Sequence, residues 1–371
     1  MPYYHYLRQD FPDLQARNYV IRKILQLKKQ LKEEVPAKHP EDSLTIATWN
    51  IRDFGKANRK GFGSRTKDSH YYIAEIISSF DFVAVQEINE LDEWNKVMKI
   101  LGPDWNYIAT DITHTGLGGN GERLCFVYDT RKVWFKNIAG EIVLPQNMLI
   151  SDSEITNSSN PLIDGKQFRR TPFLVSFQSG WLKFDICTVH IYYGEGKSGL
   201  SQRIQEIRAI GKYLSKKADE VLKKEGRATI LLGDFNIIRP DHETMKALEE
   251  NRFIIPKNIK SRKTNVIETM HYDQIAFKSD HEMIEFVDNA NHSGVFKVFT
   301  SVFRNTKEDF EFYKPELLKS ANGKKLTGDD ALREYYHKEW RTYQMSDHNV
   351  LWARVNSNKS EEYLRKLGEV K

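Results

Sequence analysis

Ile230-Leu231-Leu232-Gly233-Asp234-Phe235-Asn236 is the stretch that decides the fold. A short apolar run ends at a glycine, and a carboxylate and an amide follow at once. This is the signature of a buried strand that carries polar side chains at its tip. The pattern recurs along the chain. Trp49-Asn50 follows residues 44–48, Gln86-Glu87 follows 82–85, and His190 follows 186–189. Asp273 precedes 275–277, and Asp347-His348 precedes 350–352. One carboxylate at a strand end is usually a turn or cap residue, and a lone histidine is usually a satisfied core residue. Six ends of one chemical character point instead to a cleft, with loops standing over a rigid floor of strand tips.

Outward from these tips, short β-rich runs alternate with helical ones. Strands are expected at 44–49, 81–88, 124–128, 173–177, 184–191, 228–232, 274–277 and 350–355. Helices are expected at 69–80, at 91–101 before Gly102-Pro103, and at 200–224, where Ile204, Ile207, Leu214 and Leu222 recur at helical spacing. The pattern predicts a mixed α/β layered domain over 44–356. Two stretches inside it read as insertions. Residues 149–167 are rich in Ser, Asn and Asp and suggest an exposed loop, and 289–344 are dense in Phe, Tyr, Lys and Glu. Residues 1–43 form an N-terminal helical extension. In it, Val20, Ile24, Leu27 and Leu31 define an apolar face over 16–35, Arg22, Lys23, Lys28, Lys29 and Lys32 supply charge, and Pro36 and Pro40 end the helix. The expectation is a helix docked on the domain with its basic face solvated. Residues 357–371 read as a C-terminal tail.

Composition bounds the answer without deciding it. The 371 residues allow two domains or one large domain with insertions. With 40% hydrophobic and 29% charged residues, collagen-like and wholly disordered readings are excluded. A net charge of +5 suits a polyanionic partner without requiring one. Cys125 and Cys187 lie in apolar strand-like stretches and read as core residues of a reducing compartment, not as a disulfide framework. No run is apolar for long enough to span a membrane, and residues 1–6 lack the basic-then-apolar order of a secretory signal. The expected location is cytoplasmic.

The polar set at the strand tips consists of carboxylates, amides and two histidines, with no cysteine cluster. Oxygen ligands favour Mg²⁺ or Mn²⁺, with Ca²⁺ also suited, over zinc. Histidines flanked by carboxylates suit acid–base chemistry near neutral pH. Together they suggest hydrolysis of a phosphate ester, which demands charge neutralisation, deprotonation of water and stabilisation of a leaving oxygen.

Trp49-Asn50-Ile51-Arg52, Gln86-Glu87, Gly233-Asp234-Phe235-Asn236 and Ser346-Asp347-His348 occur in an order that resembles the endonuclease/exonuclease/phosphatase superfamily, over about residues 44–355. The likeness is greatest to its deoxyribonuclease I branch. Asn50-Ile51-Arg52-Asp53-Phe54-Gly55, Glu122-Arg123-Leu124, Phe168-Arg169-Arg170-Thr171-Pro172 and Tyr272-Asp273-Gln274-Ile275 are similar to segments of that branch. The resemblance implies a four-layered α/β sandwich, with two mixed β-sheets packed face to face and flanked by helices. It further implies that Glu87 ligates a divalent metal with Asn50 beside it, and that His190 and His348 form an acid–base pair. Glu122 would orient His190 and Asp273 would orient His348. Asp234 and Asn236 would position the phosphate, the water or a second metal. Asp347 would be a metal ligand or part of the histidine network, and Arg170, with Arg52 nearby, would grip phosphate.

The chain also departs from that branch. Gln274 stands where an arginine is expected, Asn89 where a groove-contacting arginine is expected, and the disulfide cysteines of secreted members are missing. The leading expectation is a metal-dependent nuclease cutting DNA, with Arg341, Lys314, Lys319, Lys324 and Lys325 as added basic residues that otherwise read as solvated surface. The alternatives are a phosphoesterase on lipid or small-molecule phosphates, and a catalytically inactive scaffold that binds nucleic acid. A protein partner could dock on the N-terminal helix or on 289–344.

Overall fold

A computed structural model describes residues 2–39, 41–56, 59–112, 121–150, 165–279, 286 and 291–368. The strands are β1 (Ser43–Phe54), β2 (Phe82–Ile88), β3 (Trp105–Ala109), β4 (Arg123–Asp129), β5 (Trp134–Glu141), β6 (Phe173–Ser179), β7 (Leu182–His190), β8 (Ala228–Asp234), β9 (Asp273–Lys278), β10 (Ser293–Phe296) and β11 (Val350–Asn356). They form a six-stranded sheet in the order β10-β11-β1-β2-β4-β3 and a five-stranded sheet in the order β5-β6-β7-β8-β9. Each sheet contains one parallel pair, β1 with β2 and β7 with β8, and its other pairs are antiparallel. A helix bridges each parallel pair, Lys67–Ser78 in the first sheet and Gly196–Glu225 in the second. A parallel pair needs such a crossover, and the helix it adds covers the outer face of its sheet. The result is the four-layered sandwich that the resemblance implies.

Side-chain alternation accounts for how the layers meet. On β1, Leu44 and Ile46 join the inter-sheet core, whereas Ala47, Trp49 and Ile51 face the outer helices. On β2, Phe82 and Ala84 point inward and Val83 and Val85 outward. Phe82 meets Phe177 of the opposite sheet with ring centroids 5.0 Å apart. Continuing the inward register leads from apolar to polar residues. Gln86 Nε2 donates to Thr48 Oγ1 at 3.1 Å and, across the sheets, to Thr188 Oγ1 at 2.9 Å. One residue pair further along, the same faces carry Asn50, His190 and Asp234. The period of two that builds the core thus also delivers the polar cluster at its upper end.

The N-terminal helix spans Leu14–Glu34, with the Asp13 carboxylate accepting from Ala16 N at 2.8 Å as its cap. It docks as expected, with Val20, Ile24, Leu27 and Leu31 buried. One of its charges departs from the expected solvated face. Lys23 is fully buried, its Nζ 2.6 Å from Asp309 Oδ1, which is also buried. Tyr19 stacks on Phe312 at 3.7 Å. The N-terminal helix and the 289–344 segment therefore bury each other's side chains in one apolar cluster with the outer face of the first sheet. Phe296, Phe303, Phe310 and Tyr313 are buried there, as core packing predicts. Arg341 is also buried, donating to His337 O at 2.7 Å and Phe303 O at 3.2 Å, so it is not the exposed basic residue expected from the sequence. Residues 151–164 of the expected 149–167 loop lie outside the described residues; at its ends, Ile150 pairs with Lys166.

Candidate active site

The predicted residues come from both sheets and meet at one end of the sandwich. His190 ends β7 and Asp234 ends β8, and the two are register partners. Asp234 is in turn the register partner of Asp273 at the start of β9. Gly233 makes this close approach possible, because its φ is +133° and a Cβ there would collide with Val189 O. From the other sheet, Asn50 lies on β1 and Glu87 on β2, while Glu122 precedes β4 and His348 precedes β11.

Both imidazoles converge on a single carboxylate oxygen. His190 Nε2 lies 3.6 Å from Asp234 Oδ2, and His348 Nε2 lies 3.7 Å from the same atom. Each ring is backed by a second carboxylate on its other nitrogen, Glu122 Oε1 at 2.6 Å from His190 Nδ1 and Asp273 Oδ2 at 2.8 Å from His348 Nδ1. Such a backing acid fixes the ring's orientation and tautomer and stabilises its charged form. Arg170 Nε also sits 2.6 Å from Glu122 Oε1.

Burial alone would lower both histidines, but neighbouring charge prevails. Glu122 and Asp234 hold His190 above its usual value despite Arg170. Asp273 and Asp234 raise His348 well above it. Burial would also raise Asp234, yet the two imidazoles hold its carboxyl below the usual range. Asp273 ends above that range, because burial outweighs the pull of His348. The carboxylates thus favour the charged form of each ring, and the rings favour the charged form of Asp234.

Beside this core lies an oxygen-rich group. Asn50 Nδ2 donates to Glu87 Oε1 at 2.9 Å and to Asp234 Oδ2 at 3.1 Å, and Asp53 N donates to Glu87 Oε2 at 2.7 Å. Burial raises Glu87; His190 pulls it back, and the carboxylates of Glu122, Asp347 and Asp53 add to the rise. Among the described residues no lysine or arginine pairs with Glu87. A largely enclosed carboxylate among other carboxylates, with His190 Nε2 at 3.8 Å and no described lysine or arginine beside it, suits a divalent cation, so the donor set fits one. Ligand atoms of Glu87, Glu122 and His190 lie within 4.8 Å of one another, as do those of Asp234, Asp273 and His348.

Asp347 and Arg52 stand at the mouth, with Arg52 Nη1 3.4 Å from Asp347 Oδ2 and a half-exposed Asp347 side chain. Asn236 N donates to Asp234 Oδ1 at 2.9 Å, and its side-chain amide donates to Ile191 O at 2.8 Å. Four non-glycine residues here adopt left-handed backbone, Arg52 (φ 49°), Asp53 (47°), Glu87 (66°) and Asn236 (53°). Each costs about 1–3 kcal/mol and persists only where the surroundings impose it.

Several positioning contacts involve residues that the sequence reading gives no role. Ser346 Oγ donates to Asn50 O at 2.5 Å and accepts from His348 N at 2.8 Å, tying β1 to the approach to His348. Trp49 Nε1 donates to His348 O at 3.0 Å. Arg203, on the helix behind β7 and β8, donates to Tyr193 O at 2.9 Å and Asn236 O at 2.9 Å, fixing the loop after His190. Ser346 stands inside a quoted motif, so a signal existed for it. Arg203 is one polar residue on a helix and carried none.

No family model matches the chain, and no curated protein matches it by sequence. Solved structures do. An endonuclease/exonuclease/phosphatase family protein from Bacteroides thetaiotaomicron aligns over 85% of this chain and 98% of its own, with 14% identity and a TM-score of 0.50. The human Nocturnin catalytic domain with bound sulfate covers 86% and 95% at 14% identity and a TM-score of 0.47. D. rerio TDP2 complexed with a single strand DNA product covers 85% and 99% at 12% identity and a TM-score of 0.48. The chain has the fold of the endonuclease/exonuclease/phosphatase superfamily, as its motifs imply.

Proposed function

We propose that this protein is a divalent-metal-dependent phosphodiesterase, and that it acts as an endonuclease on DNA. The observation that carries the reading is the convergence of His190 and His348 on Asp234 Oδ2, at 3.6 and 3.7 Å, with a carboxylate behind each ring. In-line hydrolysis needs one group to take a proton from water and another to give one to the leaving oxygen. Two imidazoles facing a shared point can divide those roles. Asp234 and Asn236 orient the phosphate or the attacking water between them. Arg170, steered by Glu122, offers a planar fork to a phosphate oxygen, and Arg52 offers a second at the mouth. Glu87, Asn50 and Asp347 would hold Mg²⁺ or Mn²⁺, which when bound neutralises charge developing on the phosphoryl oxygens.

Arg52 at the mouth and the half-exposed ring of Tyr193, 6.4 Å from Tyr272, support a nucleic-acid substrate, since aromatic faces stack on bases. A smaller phosphoester is the second reading. It draws support from the basic residues of 289–344, because Arg341 is buried and Lys314 and Lys319 pair with Asp329 and Glu316 at 2.7 and 2.6 Å. The test is incubation with supercoiled plasmid, single-stranded DNA, RNA and a lipid phosphodiester, each with Mg²⁺ or Mn²⁺. Plasmid nicking abolished by EDTA supports the first reading, and cleavage of the lipid alone replaces it with the second.

A further inference from the structure

Away from the strand tips, the structure contains a cavity of about 690 Å³. That lies within the range of small-molecule sites, roughly 300–1,000 Å³. None of the residues assigned to the cleft lines it. Its walls come from the segments that have no place in the acid–base site: the entry to the N-terminal helix (Phe11, Ala16), residues 62–68, and the helix Lys307–Lys319. Phe62, Phe312, Tyr313 and Trp340 provide aromatic surface.

Charge in the cavity is unevenly matched. Its two carboxyls are both engaged, Asp68 by the Tyr313 hydroxyl and Glu316 by Lys319 at 2.6 Å. Arg65 is different. Its donors go to backbone carbonyls, among the described residues no carboxylate forms an ion pair with it, and its Nε is buried with no hydrogen-bond partner. Arg65 is half-buried, and a guanidinium held largely out of water without a counter-ion is costly, so an anion brought beside it lowers that cost.

Arg65 also ties the cavity to the cleft. It donates to Gln344 O at 2.5 Å and Met345 O at 2.8 Å, just before Ser346-Asp347-His348. It donates as well to Arg52 O at 2.6 Å and to Ile51 O, at the left-handed end of β1. Thr66, another lining residue, donates its backbone N–H to Gln344 Oε1 at 2.9 Å.

We propose that this cavity is a second ligand site, for a planar aromatic anion, and that its occupancy is transmitted through Arg65 to the backbone holding Asn50 and His348. The aromatic walls take the ring, and the anionic group lies on the side of Arg65, Lys67 and Lys319. The site does not depend on what the cleft hydrolyses.

The test uses the full chain with 2-naphthoate as probe and its uncharged alcohol, 2-naphthalenemethanol, as control. Isothermal titration should show saturable one-to-one binding of the carboxylate, at least about tenfold tighter than the alcohol. Ala16→Trp, which fills the cavity, should abolish it. Lys319→Glu, at a side chain 70% exposed, should weaken it about fivefold without risk to folding. Glu87→Gln should leave it unchanged, which separates this site from the cleft. Amide hydrogen exchange at residues 50–53 and 344–347 should slow on saturation, and this holds whether or not the cleft is a phosphodiesterase. Absence of saturable binding, indifference to both cavity variants, or loss of binding in Glu87→Gln would overturn the site. Binding with unchanged exchange at both segments would overturn the link through Arg65.

Discussion

Removal of residues 1–39 should unfold the domain, not trim an appendage. The N-terminal helix buries Val20 and Leu27 completely and leaves Ile24, Leu31 and Tyr19 at 4, 4 and 6% exposure. Full burial of such a side chain contributes about 1.5–3 kcal/mol, so this face supplies on the order of 10 kcal/mol as an upper estimate. A domain's net stability is about 5–15 kcal/mol, so the loss is comparable to the whole. The truncation also strips the cover from Phe312 and leaves Asp309 without Lys23. A graded version is Leu27→Ala, expected to cost about 2–5 kcal/mol. The assay is urea denaturation followed by tryptophan fluorescence, with near-ultraviolet circular dichroism to report packing. The truncated chain should lack a cooperative transition, and Leu27→Ala should lower the midpoint with little change in slope. A chain lacking residues 1–39 that unfolds cooperatively at the full-length midpoint would refute the reasoning.

Other variants test other contacts. Lys23→Met leaves Asp309 buried with Arg304 as its remaining cationic partner and should cost about 2–4 kcal/mol by denaturation. Burial pulls the Asp309 carboxyl up, but Arg304 and Lys23 hold it below its usual range. Its stabilising contribution is therefore present above the unfolded-state value near 4 and lost as pH falls through the lower folded value, so Lys23→Met should shift acid unfolding to higher pH. Asp273→Asn should leave the fold intact and reduce turnover by about 10²–10⁴-fold. Since Asp273 helps raise His348, the limb of the pH–rate profile set by that ring should move to lower pH; an unmoved limb would separate the two residues. Gln86→Leu strands the Thr48 and Thr188 hydroxyls between the sheets and should cost about 1–3 kcal/mol, and a neutral effect would show that this polar layer does not help hold the sheets.

The strands at 44–49 and 81–88 could be read from sequence because a strand buried on both faces is a short continuous apolar run; which of its residues face the other sheet is not written in that run. β5 could not, since it is an edge strand exposed along most of its length and imposes no alternation. β10 is four residues long and escapes for want of length. The site shows the same division. His190, His348 and Asp234 follow strand-forming runs, and their positions mark them. That Glu122 meets His190 is a fact of packing between sheets, and only the resemblance suggested it. Lys23 looked like surface because charge on a helix usually is; its partner Asp309 lies far along the chain. Arg65 binds backbone carbonyls, which are chemically alike at every residue and leave no trace in sequence.

The central claim is spatial, and anomalous diffraction from a crystal grown with Mn²⁺ and inorganic phosphate tests it most directly. The account predicts a manganese peak within bonding distance of the Glu87 carboxylate and the Asn50 side chain, with phosphate lying between the Nε2 atoms of His190 and His348. Manganese bound elsewhere with Glu87 empty, or phosphate touching neither imidazole, would contradict it.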